Sequence, residues 1–197
     1  MKAPRSRTSS VKETAINTAI ESNIDFEQAG GEYFSHRLPH SAVNEDTLSG
    51  IYHYRAVDDQ LATSGQPTEA QLESIAAAGY TTVINLALHD DPRYSLPDEP
   101  ATLHALGVAY EHIPVAFSAP TEFDLQAFFT AMKEHADEKI WIHCAANMRV
   151  SVFLGLYRVI ERGWEQEKAF ALMHDLWKPD RVWWSFIVDM LLKHRSR

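Results

Sequence analysis

Two apolar runs constrain the fold more than any other feature of the chain: "TTVINLAL", Thr81 to Leu88, and "KIWIHC", Lys139 to Cys144. Both are short and rich in β-branched or aromatic residues, the pattern of a buried strand. Helix-like segments alternate with them. "DEPATLHAL" reads as a short helix closed by Gly107, and "VAYEHIPV" as the strand after it. Thr121 caps the next helix, about Glu122 to Ala136, with Phe128, Phe129 and Met132 on its apolar side. A further helix runs from about Val150 to Glu161 and is broken by Gly163. Helices at about Glu165 to Trp177 and Asp180 to His194 complete the pattern. Upstream, "IYHYRAV" and "QLATSG" read as strands, and Thr68 with Gln71 forms a capping box for a helix ended by Gly79. Strand–helix alternation of this kind predicts an α/β fold: a mostly parallel central sheet flanked by helices, with right-handed crossovers.

The 197 residues suffice for one good-sized domain, and residues 1–48 differ in composition from the rest. They read as an N-terminal extension with one helix, roughly Val11 to Ile20, ahead of an α/β domain over 49–197. A hydrophobic fraction of 45% supports a packed core. The net charge of −9 disfavours a general nucleic-acid or membrane-surface role, so an anionic ligand must be drawn by a local site. The single cysteine excludes an internal disulfide framework and fits a reducing compartment. With no apolar h-region after "MKAPRSRTSS" and no run of ~20 apolar residues, the expectation is a cytoplasmic protein that spans no membrane. No metal or cofactor is expected. Pro39 breaks any helix between His36 and His40, His174-Asp175 lacks a partner at ligand spacing, and neither HExxH nor paired CxxC occurs. Trp183, Trp184 and Phe186 read as the packing face of the last helix.

In open sheets, sites form at the carboxyl ends of the strands. Three such ends converge here: Asn85 to Asp91, Ala116 to Pro120, and Cys144 to Arg149. Cys144 closes a buried strand and precedes a helix, so loop amides and the positive end of the helix dipole favour its thiolate. The same amides, across Ala145, Ala146, Asn147 and Met148, form a cradle for a tetrahedral oxyanion. Asn147 tolerates a left-handed backbone. Ser151 stands one turn into the helix, in place to donate to sulfur, and His143 orients the loop. A lone cysteine in an apolar strand is ordinarily packing; the strand–Cys–small loop–helix order sets this one apart.

"HCAANMRVS" resembles the H-C-x-x-G-x-x-R-S/T signature of the cysteine-dependent protein tyrosine and dual-specificity phosphatases. "LATSGQPTEAQLESIAAAGYTTVINL" resembles the opening of the small bacterial phosphatase-like branch, and "EHIPV" and "APTEFDLQAFF" fall where that branch has its fourth strand and acid loop. The resemblance spans about Tyr52 to Trp177. It implies a dual-specificity-phosphatase-like fold in which Cys144 attacks a phosphate monoester and forms a phosphocysteine. Its partners are then a phosphorylated substrate or a phosphate or sulfate anion.

Three departures accompany it. Asn147 stands for the glycine and Ser151 for the last hydroxyl, but Val150 fills the arginine position and Arg149 comes one residue early. On a helix that is ~100° of rotation and ~1.5 Å of rise. The implied general acid is missing from the loop "AFSAP"; Asp124 is the nearest aspartate, in competition with a helix-cap role, and Asp90 or Asp91 is the alternative. Ala87 stands where relatives often carry arginine. In "WKPD", Pro179 ends one helix and Asp180 caps the next. Two alternatives to a hydrolase follow: an anion-binding relative with little turnover, and a rhodanese-like sulfurtransferase. Neither the substrate nor the oligomeric state is written in the sequence.

Overall fold

The structure, a computed structural model, describes residues 47–194. The expected extension over 1–48 and its helix thus lie outside the described residues, apart from 47 and 48.

"KIWIHC" supplies the middle strand of the sheet and "TTVINLAL" the strand beside it. In chain order the elements are a short 3-10 turn (Leu48–Gly50), β1 (Arg55–Ala56), β2 (Leu61–Ser64), α1 (Glu69–Ala77), β3 (Thr82–Asn85), α2 (Glu99–Ala105) and β4 (Ala109–His112). Then come α3 (Glu122–Glu134), β5 (Ile140–His143), α4 (Met148–Ile160), α5 (Gln166–Ala169), α6 (Ala171–Leu176) and α7 (Arg181–His194). The sheet order is β1-β2-β5-β3-β4, with β1 antiparallel and every other pairing parallel. This is the expected α/β architecture, a mostly parallel sheet between helices.

The register sets the site. Ser64 and Asn85 both pair with His143, so β2, β3 and β5 end level with one another. Side chains of β5 alternate between faces. Ile140, Ile142 and Cys144 join the cluster holding Phe128 and Phe129 of α3, Phe153 of α4 and Trp183 of α7. Trp141 turns the other way, among Leu72 and Ile75 of α1 and Leu103 of α2. His143 shares that second face. Trp141 is fully buried, with Tyr80 edge-on at 5.0 Å and Tyr54 stacked at 5.4 Å. Burying one such side chain contributes about 1.5–3 kcal/mol. Helix α4 meets α5 closely at Gly155, where a Cβ would stand 2.4 Å from the Phe170 ring.

Local signals account for the ends. Thr68 and Thr121 form capping boxes with Gln71 and Asp124, while Gly79, Gly107 and Gly163 take positive φ just beyond helices. Several boundaries differ from the sequence expectation. "IYHYRAV" is extended only at Arg55–Ala56, because its first half turns to meet the cysteine loop. "TTVINLAL" pairs as strand only over Thr82–Asn85. The helix expected over Glu165 to Trp177 divides at Phe170 into α5 and α6. Finally, α4 begins at Met148 instead of about Val150.

Candidate active site

The cysteine loop starts where β5 stops. Cys144 donates its backbone N–H to Ser64 O at 3.3 Å, keeping the loop attached to β2 for one more residue. Asn147 then adopts φ 62°, the left-handed region that asparagine tolerates, and becomes the N-cap of α4. Its side chain does not cap the helix. Instead Nδ2 donates to Thr63 Oγ1 and to His53 O, both at 2.9 Å. The first-turn amides of α4, which no intrahelical carbonyl can satisfy, therefore receive no acceptor from the cap residue.

Two outward anchors turn the loop. Ala145 O accepts from Gln66 N at 3.3 Å, and Ala146 O lies 3.0 Å from His53 Nδ1. Because Ala146 O can only accept, His53 Nδ1 carries the hydrogen. In a trans peptide the N–H points opposite to the C=O, so the amides of Ala146 and Asn147 face away from these anchors. The approach is tight: a Cβ on Gly65 would meet Ala145 O at 2.9 Å and the Tyr52 ring at 2.8 Å. His53 itself has φ 51°, in the left-handed region that few non-glycine residues adopt and that histidine enters more often than most. Such strain is retained where surrounding contacts impose it, here the bonds on both its ring and its carbonyl.

Cys144 is 1% exposed, on the cluster that includes Val150 and Phe153. Arg149, only 8% exposed, sits in the first turn of α4 with its guanidinium carbon 5.5 Å from the centre of the Phe117 ring. Its Nε and Nη1 are buried without a hydrogen-bond partner among the described residues. An unpaired buried guanidinium is costly. The planar fork of donors has the geometry to hold two oxygens of one oxyanion. The earlier helix start is what places Arg149 in the first turn despite its one-residue displacement.

Other expected site residues fall elsewhere. Ser151 does not donate to sulfur: its Oγ–H goes to Met148 O at 2.8 Å, and the hydroxyl accepts from Trp177 Nε1 at 3.1 Å. The back-bond to its own helix satisfies the hydroxyl first. The Met148 side chain packs in the apolar cluster, leaving only its amide for a ligand. Asp124 is committed to the cap. One of its carboxylate oxygens accepts from Thr121 N at 3.0 Å and Thr121 Oγ1 at 2.7 Å, so the side chain is held at the start of α3. Asp91 is bound by Arg93, whose side-chain and backbone hydrogen bonds push its carboxyl down to about 2; it has no proton to give at neutral pH. The loop between β4 and α3, where the resemblance implies an acid, presents Phe117, packed with Trp177 and Trp183. Among the described residues no cluster of His, Cys, Asp and Glu is arranged to hold a metal. No described helix is long and apolar enough to cross a membrane.

The sequence reading did not single out His53, Gln66 or Glu99. Glu99, in the first turn of α2, has no exposed surface. Its carboxylate receives Asn85 Nδ2 at 2.9 Å, Gln66 Nε2 at 3.3 Å and the Tyr110 hydroxyl at 3.3 Å, and lies 2.8 Å from His143 Nε2.

Residues 40–180 match the family described as a DSP-PTPase phosphatase fused to NAD+ kinase. The chain belongs to this family. It is a cysteine-dependent-phosphatase-like protein. A "Beta-lactamase hydrolase-like protein" of Xylella fastidiosa is 31% identical over 120 residues, 60% of this chain and 28% of the relative. The chain thus spans under a third of the length of that curated relative. Among solved structures, a candidate phosphatase (DUF442) of Shewanella putrefaciens CN-32 is 28% identical with a TM-score of 0.67, over 76% of this chain and 98% of that one. TpbA of P. aeruginosa, solved in complex with pTyr, shares the fold at 17% identity and a TM-score of 0.53, over 73% of this chain and 96% of that one.

Proposed function

We propose that the protein hydrolyses phosphate monoesters through a phosphocysteine. The observation that carries this reading is Arg149: a buried guanidinium with two unpaired N–H groups at the start of the helix that follows the only cysteine. The Cys144 thiolate attacks phosphorus in line, an S–P bond forms and the P–O bond to the leaving group breaks. Loop amides across Ala145 to Met148 and the Arg149 fork hold the equatorial oxygens, whose charge they stabilise in the transition state. The leaving oxygen takes its proton from water, because no carboxylate stands on the loop between β4 and α3. A second water then attacks phosphorus, the S–P bond breaks, and inorganic phosphate and the thiolate are released.

That missing acid favours aryl phosphates and other esters with good leaving groups, since general acid catalysis contributes ~10²–10⁴ in rate for poor ones. The same absence supports the second reading, a relative that binds phosphate and turns it over slowly. The sulfurtransferase alternative draws no support from the family match. The family's description makes a dinucleotide bearing a 2′-phosphate the first small molecule to assay beside phosphotyrosine.

The test is turnover of p-nitrophenyl phosphate by wild type and Cys144→Ser, with mass spectrometry of the rapidly quenched enzyme. Turnover that Cys144→Ser abolishes, with one added phosphoryl group on Cys144, is the expected result. Equal rates for the two proteins would refute covalent catalysis. Tight phosphate binding without turnover would leave the second reading standing.

A further inference from the structure

Glu99 is a carboxylate with no exposed surface, which the reaction above does not use. Burial by itself raises the pKa of such a group. Against that pressure, the charge and proximity of His143, with smaller contributions from Gln66 and His89, hold Glu99 below the usual carboxylate range. It is therefore ionised at neutral pH. A buried anion needs a compensating charge nearby. Two imidazoles are in reach. His89 Nε2 is 3.8 Å away on the loop after β3, with its own pKa held down by burial and by the stacked His112 ring at 4.2 Å. His143 Nε2 is 2.8 Å away and, like Glu99, wholly buried. That contact is poorly aligned for a hydrogen bond: Nε2 and Nδ1 both lack a well-directed partner among the described residues. At that separation a carboxylate and an imidazolium attract strongly, because little water screens a wholly buried pair.

We propose that Glu99 is a positioning residue: its carboxylate holds His143 as an imidazolium, fixing the strand end that carries Cys144 and placing a positive charge behind the sulfur. The arrangement follows from the register of the sheet. His143 turns toward α2 while the next residue, Cys144, turns toward α4, so the pair acts across the sheet and touches no substrate. Among the described residues, Asn85 from β3, Tyr110 from β4, Gln66 from the loop after β2, and His89 also face Glu99. Tyr110 is held as a neutral hydroxyl, because burial and then the Glu99 charge push its pKa far above the usual range. Gln66 belongs to both systems. Its side chain bonds Glu99 and its backbone N–H bonds Ala145 O, so a shift of the carboxylate reaches the loop directly.

The inference deepens the proposed function, and its test separates the two. The single cysteine permits a clean titration by the ¹³Cβ resonance of labelled Cys144, and the His143 ring nitrogens are read by ¹⁵N NMR in the same protein. In wild type both His143 nitrogens are expected to be protonated at pH 7. In Glu99→Gln the His143 ring becomes neutral and the Cys144 midpoint rises by ~0.5–1 pH unit. KM for p-nitrophenyl phosphate rises several-fold, and Glu99→Asp restores part of each change. A His143 ring that is neutral at pH 7 in wild type overturns the proposal even if Glu99→Gln does not fold. So does a Cys144 midpoint unmoved in a folded Glu99→Gln, which would mark Glu99 as structural only. A wild-type protein that fails to turn over phosphate yet shows both NMR signatures would sink the phosphatase reading and leave the pair intact.

Discussion

Asn147 Nδ2 lies 2.9 Å from Thr63 Oγ1, so a side chain from the cysteine loop is tied to a neighbouring parallel strand. The same nitrogen reaches His53 O, and the residue does all this from a left-handed backbone. Asn147→Ala removes both buried donations and puts a Cβ residue without a local hydrogen bond at φ 62°. The expected loss is about 1–3 kcal/mol for the unpaired buried acceptors plus about 1 kcal/mol for the backbone. Urea unfolding measures it. Asn147→Gly, which relieves only the backbone part, should fall between alanine and wild type.

Asp124 provides a contrast, because the sequence made it the nearest candidate acid and the structure makes it a cap. Asp124→Asn is expected to cost about 0.5–1 kcal/mol through the weakened capping box. Its kcat/KM on p-nitrophenyl phosphate should stay within about twofold of wild type. Loss of a working general acid would instead cost ~10²–10⁴ on a poor leaving group, so an alkyl phosphate assayed in parallel checks the point. A collapse of alkyl-phosphate turnover in Asp124→Asn would return Asp124 to the chemistry.

Arg149→Lys keeps a positive charge but loses the planar fork of donors. A lysine ammonium cannot bind two oxygens of one phosphate in the same geometry. Turnover is expected to fall ~10²–10³-fold, the magnitude of losing one oxyanion donor. Thermal stability should change little or rise, because a buried guanidinium with unpaired N–H groups is itself unfavourable. Steady-state kinetics and a melting curve on the same preparation read both effects.

The Glu99 carboxyl also predicts an acid limb in stability. Its folded-state pKa lies below its unfolded one, so its contribution is complete above the unfolded value near ~4.3 and disappears as pH falls through the folded value. Wild type should therefore lose stability below about pH 5, and Glu99→Gln should show a flatter dependence there. Denaturant unfolding between pH 3 and pH 7 reports the slope.

Much of the fold was legible because its signals are local. Period, β-branching, capping boxes at Thr68 and Thr121 and glycines after helices all act within a few residues of one another. The cysteine loop was legible for the same reason. What escaped depends on contacts between distant segments. Glu99 reads as an ordinary first-turn acid of a short helix, and only the β3–β5 register brings His143 to it. His53 reads as part of a strand, yet the loop draws it into a strained turn 93 residues from Ala146. Ser151 was aimed at sulfur by position alone, but the nearer carbonyl of Met148 takes its hydrogen. The helix that carries Arg149 begins at Met148, earlier than the sequence alone suggests, and holds the guanidinium against the Phe117 ring.

In the proposed function the loop amides and Arg149 form a seat for a small oxyanion. Calorimetric titration of inorganic phosphate tests it, using Cys144→Ser, which lacks the competing thiolate charge, beside the double variant Cys144→Ser, Arg149→Met. The expected result is saturable binding to the first protein and affinity at least ~10-fold weaker in the second, as loss of a charged bidentate contact requires. No heat from Cys144→Ser, or equal affinity in both, would rule out such a seat.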